Sequence, residues 1–224
     1  MVAGSILPIA FHQGKLFFLF GKENPLEDSA KGWSDFGGGV EGSDTPLETA
    51  IRECSEELTG FLGNPNQIKH LVRKQNPGFY KLSHNDYHVH IVLMPEYDPM
   101  LPVYYNNNHS FLWNRMDKKM LNNTRLFEKI EVRWFSENEL LAKRPIFRPF
   151  YRHIVDLIRH HIPSIKKHFL KRGTRRLQGI RRLQGTRRLQ GIRRLQGIRR
   201  LQGTRRLQDI RRLQGIRQRK TMKK

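Results

Sequence analysis

Along the first 170 residues, short apolar runs alternate with amphipathic stretches, and the two periods mark out separate elements. Ser5 to Phe11 and Lys15 to Phe20 are apolar runs joined by His12-Gln13-Gly14, a spacing that predicts a β-hairpin. Trp33 to Phe36 predicts a further short strand leading into Gly37, Gly38 and Gly39. Gln67 to Lys74, Asp86 to Met94 and Glu131 to Phe135 read as strands, the second ending at Pro95. Helical patterns cover Pro46 to Leu58, Glu137 to Ala142 and Pro149 to Ile162. Strands mixed with a few helices in this order predict an α/β fold, a mixed sheet covered by helices on both faces. Pro95 to Asn123 has the weakest periodicity and reads as an irregular segment, either a binding loop or an insertion.

From Gly173 onward the pattern changes to a six-residue repeat, Gly-Thr/Ile-Arg-Arg-Leu-Gln, with seven full units to Gln214 and a broken eighth. Six residues advance an α-helix by about 600°, which does not return to one face. A glycine per unit disfavours helix by roughly 1 kcal/mol each, and the paired arginines repel. The predicted organisation is a globular domain over 1–165, a linker over 166–172 and a basic C-terminal repeat arm over 173–224, disordered or loosely helical.

Charge follows the same division. The formal net charge is +22, of which +20 lies in residues 171–224 and only +2 in residues 1–170. The body is therefore electrostatically ordinary, and the arm is a polycation. Sixteen arginines from Arg175 to Arg219, with no aromatic residue among them, would attract phosphate backbones without stacking on bases. RNA bound through the basic arm is the expected partner, with little sequence preference and strong salt dependence. The same arm can serve as a nuclear or nucleolar address, and a tolerated repeat expansion also accounts for it. The single cysteine, Cys54, excludes an internal disulfide framework and fits a reducing compartment. With no basic n-region at the start and no apolar run near the roughly 18 residues a bilayer span needs, the expectation is an intracellular, cytoplasmic protein with no membrane partner.

The densest chemistry lies between Gly37 and Gly60. Thr45 is placed as N-cap, Pro46 at the first helical position, and Glu48 completes a capping box. Leu47, Ile51, Cys54 and Leu58 form an apolar stripe, and Gly60 supplies a left-handed end. Away from the stripe, Glu53, Glu56 and Glu57 stand at i, i+3 and i+4, so their carboxylates converge, and Arg52 is four residues before Glu56. Clustered like charges destabilise a helix unless a cation sits among them, and hard divalent ions such as Mg²⁺ or Mn²⁺ take oxygen ligands of this kind. The glycines before the helix can bring backbone carbonyls to the same ion. A solvated acidic face is the plainer explanation of three glutamates alone; the glycines, the cap and the arginine at fixed spacing favour a metal site.

This segment resembles the Nudix box, Gly-x5-Glu-x7-Arg-Glu-U-x-Glu-Glu-x-Gly-U, where U is bulky and apolar. Gly38, Arg52, Glu53, Glu56 and Glu57 match it, with Cys54 at the first apolar position. Asp44 stands in place of the first glutamate, and Thr59 in place of the later glycine, with Gly60 and Phe61 displaced as if the helix were one residue longer. The resemblance implies a Nudix-type α/β/α sandwich with a mixed sheet over residues 1 to 165. It implies Mg²⁺ or Mn²⁺ held by Gly38, Asp44, Glu53, Glu56 and Glu57, catalytic roles for Glu53 and Arg52, and attack of water on a nucleoside diphosphate linked to another moiety. The general base is either Glu53 or an acid outside the box, such as Glu96. The strings Gly32 to Gly39 and Ser55 to Phe61 look like Nudix proteins of large DNA viruses, some of which remove mRNA caps while others act on diphosphoinositol polyphosphates.

Expected function is thus cleavage of a diphosphate linkage, with a nucleotide or the capped 5′ end of mRNA as substrate. Two alternatives stand beside it: a small-molecule diphosphatase for nucleotide sugars, dinucleoside polyphosphates or diphosphoinositol polyphosphates, and an RNA-binding protein whose Nudix domain is silent. Oligomeric state is not set by these patterns. His88 and His90 alternate on one strand face and read as that face rather than as metal ligands. Trp33, Tyr80, Tyr87, Tyr104, Phe111 and Trp113 are candidates for base stacking, against a plainer role in the core.

Overall fold

A computed structural model describes residues 1–24, 31–74, 78–117, 119–120 and 128–170. The repeat arm and the end of the expected linker lie outside the described residues. The expected hairpin is β1 (Ala3–His12) and β2 (Lys15–Glu23), paired antiparallel from Ile9 and Phe18 to His12 and Lys15. The single strand expected at Trp33 to Phe36 is two, β3 (Trp33–Ser34) on β2 and β4 (Phe36–Gly39) on the first half of β1. A hairpin of β5 (Tyr80–His84) and β6 (Tyr87–Leu93) adds to the other edge, with β6 parallel to β1. β7 (Lys129–Ser136) pairs antiparallel with β2. One parallel pair among antiparallel ones makes the sheet mixed, as expected.

Alternation along the strands sends successive side chains to opposite faces, and each face has its own core. Leu7, Ile9, Phe18, Phe20, Val89, Ile91 and Phe135 point to one side. They meet Tyr151, Ile154, Val155 and Ile158 from a helix over residues 151–170. Ile6, Ala10, Leu19, Phe36, Val132 and Trp134 point to the other side, against α1 (Pro46–Glu57), α2 (Pro65–Lys74) and α3 (Met100–Trp113). Helices on both faces complete the α/β/α arrangement. A short α4 (Glu137–Ala142) follows β7 under a capping box of Ser136 and Glu139, and the 151–170 helix is α5.

Three expectations need correction. Gln67 to Lys74 is helix, not strand. Asn64 and Gln67 bond reciprocally through side chain and backbone, at 2.9 and 3.0 Å, and Pro65 opens the first turn. This repeats the capping chemistry that starts α1, and Ile68 and Val72 then face the sheet at helical spacing. About half of the supposedly irregular Pro95 to Asn123 is α3, whose apolar residues flank a polar run from Asn106 to Ser110 rather than lining one face, so no period is legible. Tertiary bonds tie it down: the Tyr105 hydroxyl donates to the Lys129 carbonyl at 2.7 Å, and the Asn106 amide donates to the Val132 carbonyl and accepts from its N–H.

α5, expected to end at Ile162, runs through Pro163 to residue 170. A proline inside a helix costs about 3 kcal/mol. Burial of Ile165 and Phe169, about 1.5–3 kcal/mol each, offsets it. Residues 166–170, placed in the linker by sequence, are therefore the last turns of this helix, and Met1–Phe169 form one compact unit. No helix among the described residues is long and apolar enough to cross a membrane.

Candidate active site

α1 crosses the sheet where β1 and β4 pair, and two glycines permit it. A methyl group on Gly4 would stand 1.8 Å from the Pro46 carbonyl oxygen, so the helix start sits directly on the β1 backbone. Farther along, a methyl group on Gly38 would stand 2.7 Å from the Glu53 carboxyl carbon. The carboxylate of Glu53 therefore lies against the backbone of Gly38, as the spacing of the two residues suggested. The capping box of Thr45 and Glu48 is present, and Ile51, Cys54 and Leu58 face the core.

At the far end the helix closes in a Schellman-type turn. Thr59 N–H donates to the Glu56 carbonyl and Gly60 N–H to the Ser55 carbonyl, both at 2.8 Å. The helix is not one residue longer than the family pattern. Thr59 itself takes the left-handed conformation, at φ 48°, followed by Gly60 at φ 76°.

Arg52 organises the acids. Its guanidinium is 2.8 Å from Glu53, 3.2 Å from Glu56, 3.8 Å from Glu41 and 4.0 Å from Asp44. Four carboxylates thus surround one cation. Burial raises the Glu53 carboxyl above the usual range, Arg52 pulls it down and Glu56 raises it further. Glu56 is half exposed.

Glu57 faces the other way, into the protein. One oxygen accepts from the Gly37 N–H at 2.9 Å, and the other is 3.0 Å from the Lys129 ammonium. Lys129 also contacts Glu23 and, at 3.1 Å, the Ser34 hydroxyl; Arg148 reaches Glu23 at 2.8 Å. Burial pushes the Glu57 carboxyl up against the pull of Lys129. Lys129 is held protonated because Glu57 and Glu23 outweigh its own burial.

Of the residues singled out by sequence, Gly38, Arg52, Glu53 and Glu56 come together, with Asp44 at the margin and Glu57 buried behind them. Glu96 does not join them. It follows β6, whose Leu93 is level with Ile9, five residues along β1 from the Gly38 partner Gly4. At about 3.3 Å per residue, that puts the end of β6 on the order of 16 Å from Gly38 along the sheet. Acids from outside the box that act on the buried Glu57 are Glu23 and, more weakly, Glu128, both of which raise its carboxyl.

Glu128, Lys129, Glu23 and Glu41 carry no local sequence signal. Glu23, Glu128 and Lys129 are brought in by chain crossings, as with the 106 residues between Glu23 and Lys129, whereas Glu41 comes from the loop between β4 and α1. His90 is buried and hydrogen-bonds the Ser5 carbonyl, while His88 bonds Ser83, so both belong to the strand face. Trp33 is core; Tyr80 bonds His161 and Tyr87 bonds Asp35; Trp113 stacks on His109; Tyr104 and Phe111 are exposed on α3.

The donor set fits a hard divalent cation, since Glu53, Glu56 and the Gly38 backbone offer oxygen alone. Among the described residues no three acidic, histidine or cysteine side chains already stand as a closed cage, because Arg52 lies between them.

Compared with curated proteins by sequence, the chain matches none. Among solved structures it is similar to the Nudix hydrolase RenU of M. smegmatis, at 14% identity and TM-score 0.42 over 74% of this chain and 88% of that one. It is similar to a C. elegans Ap4A hydrolase at 14% identity and TM-score 0.42, over 74% and 98%. It is also similar to the NUDIX domain of Shewanella oneidensis NrtR, solved with ADP ribose, at 11% identity and TM-score 0.40, over 72% and 88%. The NUDIX domain family model matches residues 5–158, well over half of the sequence, and the chain belongs to this family as a Nudix hydrolase.

Proposed function

We propose that the chain hydrolyses a diphosphate linkage in a nucleoside diphosphate joined to another moiety, and that capped mRNA is its substrate. The observation that carries the hydrolytic part is Glu53, a half-buried carboxylate clamped between Arg52 and the backbone of Gly38. With Glu56, the Gly38 carbonyl and Asp44 it would hold Mg²⁺ or Mn²⁺. Such an ion, when bound, lowers the pKa of water and neutralises charge on the diphosphate. Arg52 keeps Glu53 and Glu56 oriented. Glu53 either completes the ligand set or takes the proton of the attacking water as the bond between phosphorus and the leaving oxygen breaks. Glu53→Gln is expected to lower turnover by about 10²–10⁴-fold, read as product release from a capped substrate, with the thermal midpoint little changed.

Support for RNA is the arginine arm and the likeness of Gly32 to Gly39 and Ser55 to Phe61 to viral Nudix proteins. A second reading, a small-molecule diphosphatase with an incidental arm, draws on the small +2 charge of residues 1–170, which would give long RNA little attraction. Cap-labelled RNA and a panel of free nucleotides, each with the full chain and with residues 173–224 deleted, decide between them. Loss of cap release alone on deletion favours RNA; equal rates on both substrates favour the small molecule. No product from any diphosphate with Mn²⁺, unchanged by Glu56→Gln, would leave only a silent RNA-binding domain.

A further inference from the structure

We infer that Lys129 is a built-in counter-ion for Glu57, and that Glu57 is a positioning residue rather than a metal ligand in this chain. Both oxygens of Glu57 already have partners, the Gly37 N–H and the Lys129 ammonium. Lys129 is itself only 1% exposed and reaches Glu23, Ser34 and Glu57, one partner for each of its three donors. If it turned away, Glu57 would keep only the Gly37 N–H as a partner in a buried position. The two clusters differ in charge. Around Lys129, Glu23 and Glu57 each have a cation in direct contact, Lys129 for both and Arg148 as well for Glu23. Around Arg52, four carboxylates face one cation. A divalent cation entering the first set would be repelled by Lys129, while the second has negative charge to spare. Glu57 instead ties the end of α1 to β4 through Gly37 and to β7 through Lys129, which holds Glu53 over Gly38.

This rests on the metal-dependent reading of Glu53 and Glu56, and the test separates the two. Crystals of the full chain soaked with Mn²⁺ are expected to show anomalous density on Glu53, Glu56 and the Gly38 carbonyl, with Lys129 still on Glu57. Manganese coordinated directly by a Glu57 oxygen overturns the inference and leaves the metal reading intact. No manganese at any of these residues overturns the metal reading beneath it. In solution, Glu57→Gln should bind the same number of Mn²⁺ ions by titration calorimetry, whereas Glu56→Gln should weaken binding at least tenfold. Loss of one ion equivalent in a folded Glu57→Gln protein overturns the assignment.

Discussion

Thr59 sits at the left-handed position of the α1 end, where its branched β-carbon crowds the backbone. Non-glycine residues lose roughly 1–2 kcal/mol in that conformation. Thr59→Gly should therefore raise stability by about 1 kcal/mol, less the added freedom of the unfolded glycine, seen as a higher urea midpoint at unchanged slope. At this scale the box was legible because its residues share one helix: a fixed spacing puts Arg52 beside Glu53 and Glu56 whatever the rest of the chain does. Direction was not legible. That Glu56 is half exposed while its neighbour Glu57 is buried depends on Lys129, which the sequence presents only as one basic residue at the start of a strand.

Between elements, contacts are close enough for one methyl group to matter. Gly4→Ala would drive its β-carbon into the Pro46 carbonyl, lift the start of α1 and cost about 1–3 kcal/mol; both the denaturation midpoint and activity should fall. The junction of β1, β4 and β6 also contains two buried titrating groups of opposite effect. Asp35 accepts from Ser5 and Tyr87, yet burial lifts its carboxyl to about 6 from 3.8. Its contribution to stability is full below pH 3.8 and is lost as pH rises through 6. Burial lowers His90 to about 4 from 6.5, so its contribution is full above pH 6.5 and is lost as pH falls through 4. Each is on the order of 3 kcal/mol, and between pH 4 and 6 the slopes oppose. Relative to wild type, Asp35→Asn should make stability climb more steeply with pH in that window, and His90→Gln should make it climb less or fall. Chemical denaturation at pH 4, 5 and 6 measures both. Sequence pattern found the elements with one dominant face. It missed α2, where three apolar residues in six mimic a strand, although Asn64-Pro65-x-Gln67 repeats the signal read correctly at Thr45. It missed α3 because the apolar residues of that helix flank a polar run, Asn106 to Ser110, instead of gathering on one face.

For the whole molecule, the division of charge gives the clearest expectation. A polycationic arm on a nearly neutral body should make single-stranded RNA binding fall with salt, by about 0.7 in the logarithmic slope for each phosphate contacted. Deleting residues 173–224 should bring that slope close to zero, measured by fluorescence anisotropy between 50 and roughly 200 mM salt. Layer order was legible from alternating periods; strand order was not, since the pairing of β7 with β2 joins segments more than 100 residues apart in sequence.

β7 lies at the sheet's margin, and there the side chain of Asn106 bonds both the N–H and the carbonyl of Val132. An amide on a helix thus imitates the neighbouring strand that an open margin would recruit. Margins left unpaired invite other chains to add on, the first step of aggregation. Asn106 acts as a stopper at this position, and it keeps this margin from zippering to neighbouring chains.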